Sequence, residues 1–376
     1  MMLKTDCRHF PGSRPCRFNK ETGQTCPACP HYRAKGKRIL ITKLDALGDV
    51  LRTTALLPGL KDQYPDSYIV WITRAGAADL FKHNPFVDEL WIADAEALSR
   101  LQVESFDIVI NPDADKWTAA LATAAKAQER LGMMLDSQGN VIPATSEAVE
   151  WLEMGAFDHL KKANQKSYQQ IVYEMSRLTY KRQKPVLCLT NAECAWGIEF
   201  LENNGRMPAR KLIGLNLGGG GRWKHKRWTS EHIATFCEMV LAIPNLQLMV
   251  IGGLFERDLM KNLQAKFSKQ IIFSGSDRTL RELASLVAAC NVLVTGDTLV
   301  LHLATAMGTP VVVPIGPTSA SEIELYERGV YVISGVDCRC CYLQHCDRVP
   351  TCMDLIMPHV IISHVLELIG GVGPSM

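Results

Sequence analysis

Two stretches of this chain alternate short β-branched apolar runs with helical patterns, and nothing else in the sequence constrains the fold as strongly. The first stretch has extended-looking runs at 37–43 (KRILITK), 67–73 (SYIVWIT), 89–92 and 106–111 (FDIVIN). Helical patterns run from Gly48 to Tyr64, from about Ala77, and over 116–128. The second repeats the scheme, with strands predicted at 211–217, 246–251, 271–274, 291–295 and 309–315. Its helices are predicted at 230–242, 256–267 and 279–290. A last helix is predicted over 357–369, opened by Pro358 and closed by Gly370-Gly371. Strands that alternate with helices build βαβ units and a parallel sheet covered on both faces. A polar helical stretch, 145–182, joins the halves or lies across the first sheet, and the run after Pro185 (VLCL) reads as a return to extended chain. The expectation is two doubly wound α/β domains with a seam near residue 185. Such sheets take ligands outside the carboxyl ends of their strands, so two of them facing each other form a cleft.

A length of 376 residues suits two full domains, at roughly 100–200 residues each. With 47% hydrophobic residues the chain is too apolar for disorder, and 41 Lys+Arg against 39 Asp+Glu exclude a nucleic-acid wrapper. The balance hides an asymmetry. Residues 1–45 hold 10 Lys+Arg and 3 Asp+Glu. Such a basic leader suits phosphate or an anionic membrane face, or is simply solvated. No run approaches the roughly 18 apolar residues of a membrane span, and no apolar secretory segment opens the chain. A cytoplasmic, reducing location is expected, where disulfides are rare.

Thirteen cysteines then need another reading. Cys7, Cys16, Cys26 and Cys29 lie in the leader, and Cys338, Cys340, Cys341, Cys346 and Cys352 near the end. Cys26–Cys29 and Cys338–Cys341 each leave two residues between thiols, a spacing that lets both sulfurs face one ion. The leader is rich in Pro and Gly and cannot form long regular structure, so it needs a staple. We expect structural metal on Cys7, Cys16, Cys26 and Cys29 and on Cys338, Cys341, Cys346 and Cys352, either one site each or one shared site. Zinc is the default, with iron or an iron–sulfur cluster compatible with all-Cys ligation. Free thiols, or disulfides in an oxidising place, are the competing reading.

Four places could carry chemistry. Leu47-Gly48-Asp49 follows the first strand; Asp49 could take a proton from a hydroxyl, although from the residues alone a helix N-cap is the better reading. Gly218–Gly221, followed by Arg222-Trp223-Lys224-His225-Lys226-Arg227, offers bare amides and cations to a diphosphate. Gly252-Gly253 leads to Glu256, a carboxylate that could accept ribose hydroxyls or merely favour a first helical turn. Thr295-Gly296-Asp297-Thr298, with His302 one turn on, has the form of an anion-receiving helix N-terminus.

The stretch 43–61 (KLDALGDVLRTTALLPGLK), Lys226–Trp228 (KRW), Gly252-Gly253 with Glu256, and 295–317 (TGDTLVLHLATAMGTPVVVPIGP) together resemble glycosyltransferase family 9. These are the heptosyltransferases of bacterial lipopolysaccharide core assembly. The likeness runs from about residue 37 to about 360. It implies the GT-B fold, two Rossmann-like domains facing across a cleft. It also implies a nucleotide-activated sugar donor, typically ADP-heptose, and inverting transfer that needs no catalytic metal. By the resemblance, Asp49 is the general base and Lys226 holds the donor diphosphate. Glu256 binds the ribose, and Asp297, Thr298 and His302 form the donor-phosphate turn; the reading of the residues themselves adds Gly218, Gly219 and Gly296 to the donor site. Two departures stand out. Leu299 occupies the place of the family's usual glycine, and the Cys-rich leader and NPDADK (111–116) are absent from the well-known core enzymes. The late cysteines resemble a metal finger of family members that glycosylate proteins.

The expected division is a Cys-rich metal-binding leader (1–36), an acceptor domain (37–184), a nucleotide-sugar domain (185–354) and a C-terminal helix (355–376). The acceptor stays open among lipid-linked core, another glycan and a protein hydroxyl, as does peripheral contact with the inner membrane. A non-catalytic nucleotide-sugar or metal-sensing module and a nucleotide-sugar epimerase are the alternative functions.

Overall fold

A computed structural model describes residues 2–218, 226–343 and 345–370. The first sheet contains β1 (Arg38–Thr42), β2 (Tyr68–Thr73), β3 (Glu89–Ile92), β4 (Ser105–Asn111), β5 (Lys126–Leu135) and β6 (Val141–Pro143). The second contains β7 (Lys211–Asn216), β8 (Leu246–Ile251), β9 (Ile271–Phe273), β10 (Val292–Val294), β11 (Val311–Ile315) and β12 (Gly329–Ile333). The orders are β3-β2-β1-β4-β5-β6 and β12-β11-β10-β7-β8-β9. All pairs are parallel except β5–β6. Each sheet thus starts at its centre, runs out to one edge and returns to build the other. The order reverses between β1 and β4 and between β7 and β10, and these reversals open the ligand crevices. Parallel strands buried on both faces read as unbroken apolar runs: every residue of β2 (YIVWIT) and of β8 (LQLMVI) is buried. Gln247 is tolerated inside β8 because its amide donates to Gly205 O at 2.8 Å and accepts from Met207 N at 2.9 Å.

The structure corrects several expectations. The helix predicted over 116–128 ends at Ala124, and the next residues form β5. Helix-forming Lys, Gln, Glu and Arg at 126–130 are drawn into a strand by pairing with β4. The run after Pro185 is no strand; Val186 is pinned by its N–H to Thr54 Oγ1 at 2.7 Å. The helix Asn191–Asn203 and the edge strand β12 were not anticipated.

The lobes pack tightly. The helix Leu47–Thr53 lies against the helix Leu299–Met307, and one apolar cluster runs through both lobes. The helix Tyr168–Met175 seals the junction, where Tyr168 N donates to Glu322 O at 3.0 Å. Arg281 ties the second lobe to the carbonyls of Asp79 and Cys188 at 3.0 and 2.6 Å. The helix Pro358–Gly370 packs on the second sheet beside Ser230–Leu241. The leader docks elsewhere, at the amino ends of the first sheet. Arg8 donates to Ser67 O at 2.9 Å and pairs with Asp88 at 3.0 Å, and Gly36 N donates to Asp66 O at 3.1 Å.

Candidate active site

Asp49 sits in the first turn of the helix that follows β1, at the carboxyl end of the first sheet. Its neighbour Gly48 explains how the second lobe reaches it. A Cβ on Gly48 would stand 2.7 Å from His302 Cδ2 and 3.6 Å from Leu299 Cα. The absent side chain is therefore the space the opposite helix occupies. No side-chain cap is made on this helix, and Asp49 instead pairs with Arg52 at 2.8 Å across one turn. Burial alone would raise the Asp49 carboxyl; the charges of Arg52 and Lys43 outweigh it and bring the group to about 2. Arg52 in turn stacks its guanidinium 3.8 Å over the Tyr168 ring, whose hydroxyl meets Thr53 Oγ1 at 2.8 Å. Behind Asp49, Lys43 is buried in an ion pair with Asp113 and also donates to Asp45 O at 2.6 Å.

From the second lobe comes the turn after β10. Asp297 pairs with Lys226 at 2.7 Å, and His302 Nε2 lies 3.9 Å from Asp297 Oδ1. Burial works against the Asp297 charge, but Lys226 and His302 hold its carboxyl below the usual range. Burial above all, and then the Arg52 charge, pushes the His302 imidazole down to about 4. It is therefore neutral at physiological pH and has one ring N–H to offer a ligand rather than a positive charge. Thr298 opens the helix Leu299–Met307 without capping it. Its hydroxyl turns instead to Asn216 Nδ2 at 3.1 Å and Thr295 Oγ1 at 3.2 Å. Gly296 has a steric reason: a Cβ there would meet Lys226 O at 2.9 Å.

Across the β7–β10 reversal, Glu256 is buried, and its Oε2 accepts from Gly253 N at 3.0 Å. Among the described residues its Oε1 is buried with no hydrogen-bond partner, and Arg227 stands 3.8 Å away. Gly218 faces this carboxylate, 3.4 Å from where its Cβ would be. An unmatched buried carboxylate oxygen is an acceptor awaiting a donor, which a pair of hydroxyls would provide. Gly219, with the cations at 222, 224 and 225, falls outside the described residues.

The structure therefore brings Asp49, Lys226, Gly296, Asp297, Thr298 and His302 to one junction and sets Gly218 and Glu256 on its second-lobe flank. Sequence reading missed Arg52, Lys43, Asp113 and Tyr168. Arg52 was discoverable as the i+3 partner of Asp49 on one helix face. Lys43 and Asp113 come from two strand ends 70 residues apart, and only the β1–β4 pairing unites them. The cysteines are not part of this junction. The leader set and the late set line separate cavities. Among the described residues, no three His, Cys, Asp or Glu side chains converge closely enough to hold one ion.

Two Rossmann-type sheets meeting with Asp49 on one side and the turn after β10 on the other define the GT-B fold class. The model of glycosyltransferase family 9 (heptosyltransferase) matches residues 96–348, and the chain belongs to that family. A lipooligosaccharide heptosyltransferase 2 of Haemophilus influenzae is 23% identical over 174 residues, 42% of this chain; the match spans half of that relative's length. The crystal structure of a family 9 glycosyltransferase from Veillonella parvula superposes with a TM-score of 0.72 at 20% identity, covering 90% of this chain and 99% of that one. The E. coli ADP-heptose lipopolysaccharide heptosyltransferase II gives 0.64 at 18% identity, covering 89% and 99%. Among the described residues no helix is long and apolar enough to cross a membrane.

Proposed function

We propose that this protein is an inverting glycosyltransferase that moves a sugar from a nucleoside diphosphate sugar to an acceptor hydroxyl, with heptose from ADP-heptose as the leading donor. The observation that carries the reading is the close approach of His302 to Gly48, where a side chain would not fit; it supports setting the carboxylate of one lobe against the phosphate turn of the other. The name of the E. coli heptosyltransferase supports the donor. Residues 37–184 receive the acceptor and residues 185–354 the nucleotide sugar. The unmatched Oε1 of Glu256 accepts from the ribose. Lys226, neutral His302 and the amides at Thr298–Leu299 receive the diphosphate.

The reaction breaks the bond between the anomeric carbon and the donor phosphate oxygen, and the electron pair leaves on the diphosphate. The acceptor oxygen bonds to that carbon from the opposite face and passes its proton to Asp49. A carboxylate held near 2 is a weak base toward a free alcohol. It suffices late in the step, when the hydroxyl has turned acidic on the cationic sugar. Charge that develops on the leaving group meets fixed donors on a lobe already in place, so no divalent ion is required in this scheme. Asp49→Asn should lower kcat by about 10²–10⁴-fold while the nucleotide sugar still shifts the melting temperature. Full turnover by that variant with its true substrates would refute the base assignment.

The acceptor is a hydroxyl of lipopolysaccharide core or a related glycan. The late thiols Cys338, Cys341, Cys346 and Cys352 line one small cavity of about 20 Å³; they are not gathered around one point, so an ion bound there would draw them together. We assign them a structural zinc or iron that takes no part in the reaction.

A further inference from the structure

The leader poses a physical problem. Residues 2–37 contain no buried side chain, yet they adopt a defined fold. The helix Arg17–Thr22 is followed by a tight turn at Cys26–Ala28, and Cys7 bridges to Ala34 as an isolated β pair. Fixing each residue costs about 1–2 kcal/mol of backbone entropy, and here no apolar core offsets it. Chains this short are held by disulfides, metals or clusters.

All four leader thiols, Cys7, Cys16, Cys26 and Cys29, line one cavity of about 520 Å³. A single ion would need four sulfurs drawn in to about 2.3 Å from one point. Among the described residues no such convergence exists, and this cavity is far larger than the one at the late cysteines. Its walls match an anionic occupant. Lys4 and Arg14 line it, and no Asp or Glu does. One side is closed by Phe18, stacked on His31 with centroids 3.9 Å apart and edge-on to His9 at 5.1 Å. We propose that the leader holds a polynuclear iron–sulfur cluster on Cys7, Cys16, Cys26 and Cys29. Four thiolates spaced around a wide cavity suit a cluster whose irons sit apart and are bridged by inorganic sulfide. The cluster is structural. The leader meets the amino ends of the first sheet through Ser67 and Asp88, and the catalytic junction lies at the carboxyl ends.

The test is metal and sulfide analysis of the full chain purified without oxygen, alongside the double variant Cys26→Ser/Cys29→Ser and the control Cys338→Ser/Cys341→Ser. The control should carry iron and acid-labile sulfide at a ratio of about one, with at least two irons per chain and a broad visible absorption, and the wild type the same sulfide with at most about one further iron. The control should keep the sulfide and the leader double variant should lose it. Where the double variant does not fold, the wild type stripped by chelator and oxidant serves instead. Limited proteolysis should then cut before residue 37 and leave the rest intact, and transfer activity should be retained. Zinc at about one per chain with no labile sulfide, or sulfide that survives Cys26→Ser/Cys29→Ser, would overturn the proposal.

Discussion

Replacing Gly48 by Ala tests whether the two lobes work in contact. In an ordinary helix this change stabilises by about 0.5–1 kcal/mol, because glycine loses more freedom on folding. Here the new Cβ would lie 2.7 Å from His302 Cδ2. Ordinary carbon contacts need about 3.5–4.0 Å, so the helix or the imidazole must yield by roughly 1 Å. Overpacking of this kind costs about 1–3 kcal/mol, which reverses the propensity gain and leaves a net loss of up to about 2 kcal/mol. The same displacement separates Asp49 from the turn at 295–298, and misplacing reacting groups by about 1 Å costs on the order of 10²-fold in rate. Thermal unfolding and kcat/KM would be read together, with donor binding measured by calorimetry. In the double variant Gly48→Ala/His302→Ala the clash is gone, so the stability loss from the first change should largely vanish, a coupling a cycle would reveal. A Gly48→Ala protein that melts higher, keeps wild-type kcat/KM and shows no coupling to His302 would refute the reasoning.

Further outcomes are expected. Glu256→Gln should raise the donor KM by about 10–100-fold and leave kcat nearly unchanged, since a charge-assisted hydrogen bond to the ribose is worth about 1.5–3 kcal/mol; an unaltered KM would remove Glu256 from the ribose. His302 has its folded pKa depressed from 6.5 to about 4, so the unfolded chain binds its proton first as pH falls. Stability from the neutral imidazole is present above pH 6.5 and is lost progressively between 6.5 and about 4, amounting to about 3 kcal/mol. Denaturant melts across this range should show a shallower acid limb for His302→Gln, and parallel limbs would contradict the assignment. Lys226→Ala should weaken nucleotide-sugar binding at least tenfold and more at low than at high salt, because one cation facing a diphosphate is lost. Cys341→Ser should remove about one zinc or iron per chain, and metal content identical to wild type would dismiss the late site.

Most of the strands were legible because parallel strands buried on both faces leave long apolar runs, as in β1, β2, β7 and β8. β5 escaped because its first half is built from helix formers, and β12 because it is a short edge strand beside an irregular Cys-rich segment. At the site, each motif was visible as a turn after a strand. Asp49 nonetheless read better as a helix cap, since nothing local distinguishes a capping aspartate from one aimed into a cleft.

The sequence by itself determined most strands of the two sheets, the turns at their carboxyl ends and the family, because periodicity, glycine placement and spaced motifs are local properties of the chain. Only the tertiary structure decided which charges answer one another. Lys43 meets Asp113 through strand pairing, and Arg52 is fixed on Asp49 by the Tyr168 ring. His302 loses its charge because the opposite lobe buries it against Arg52. Ionisation depends on solvent exclusion and on neighbours far away in sequence, and both exist only once the lobes have packed.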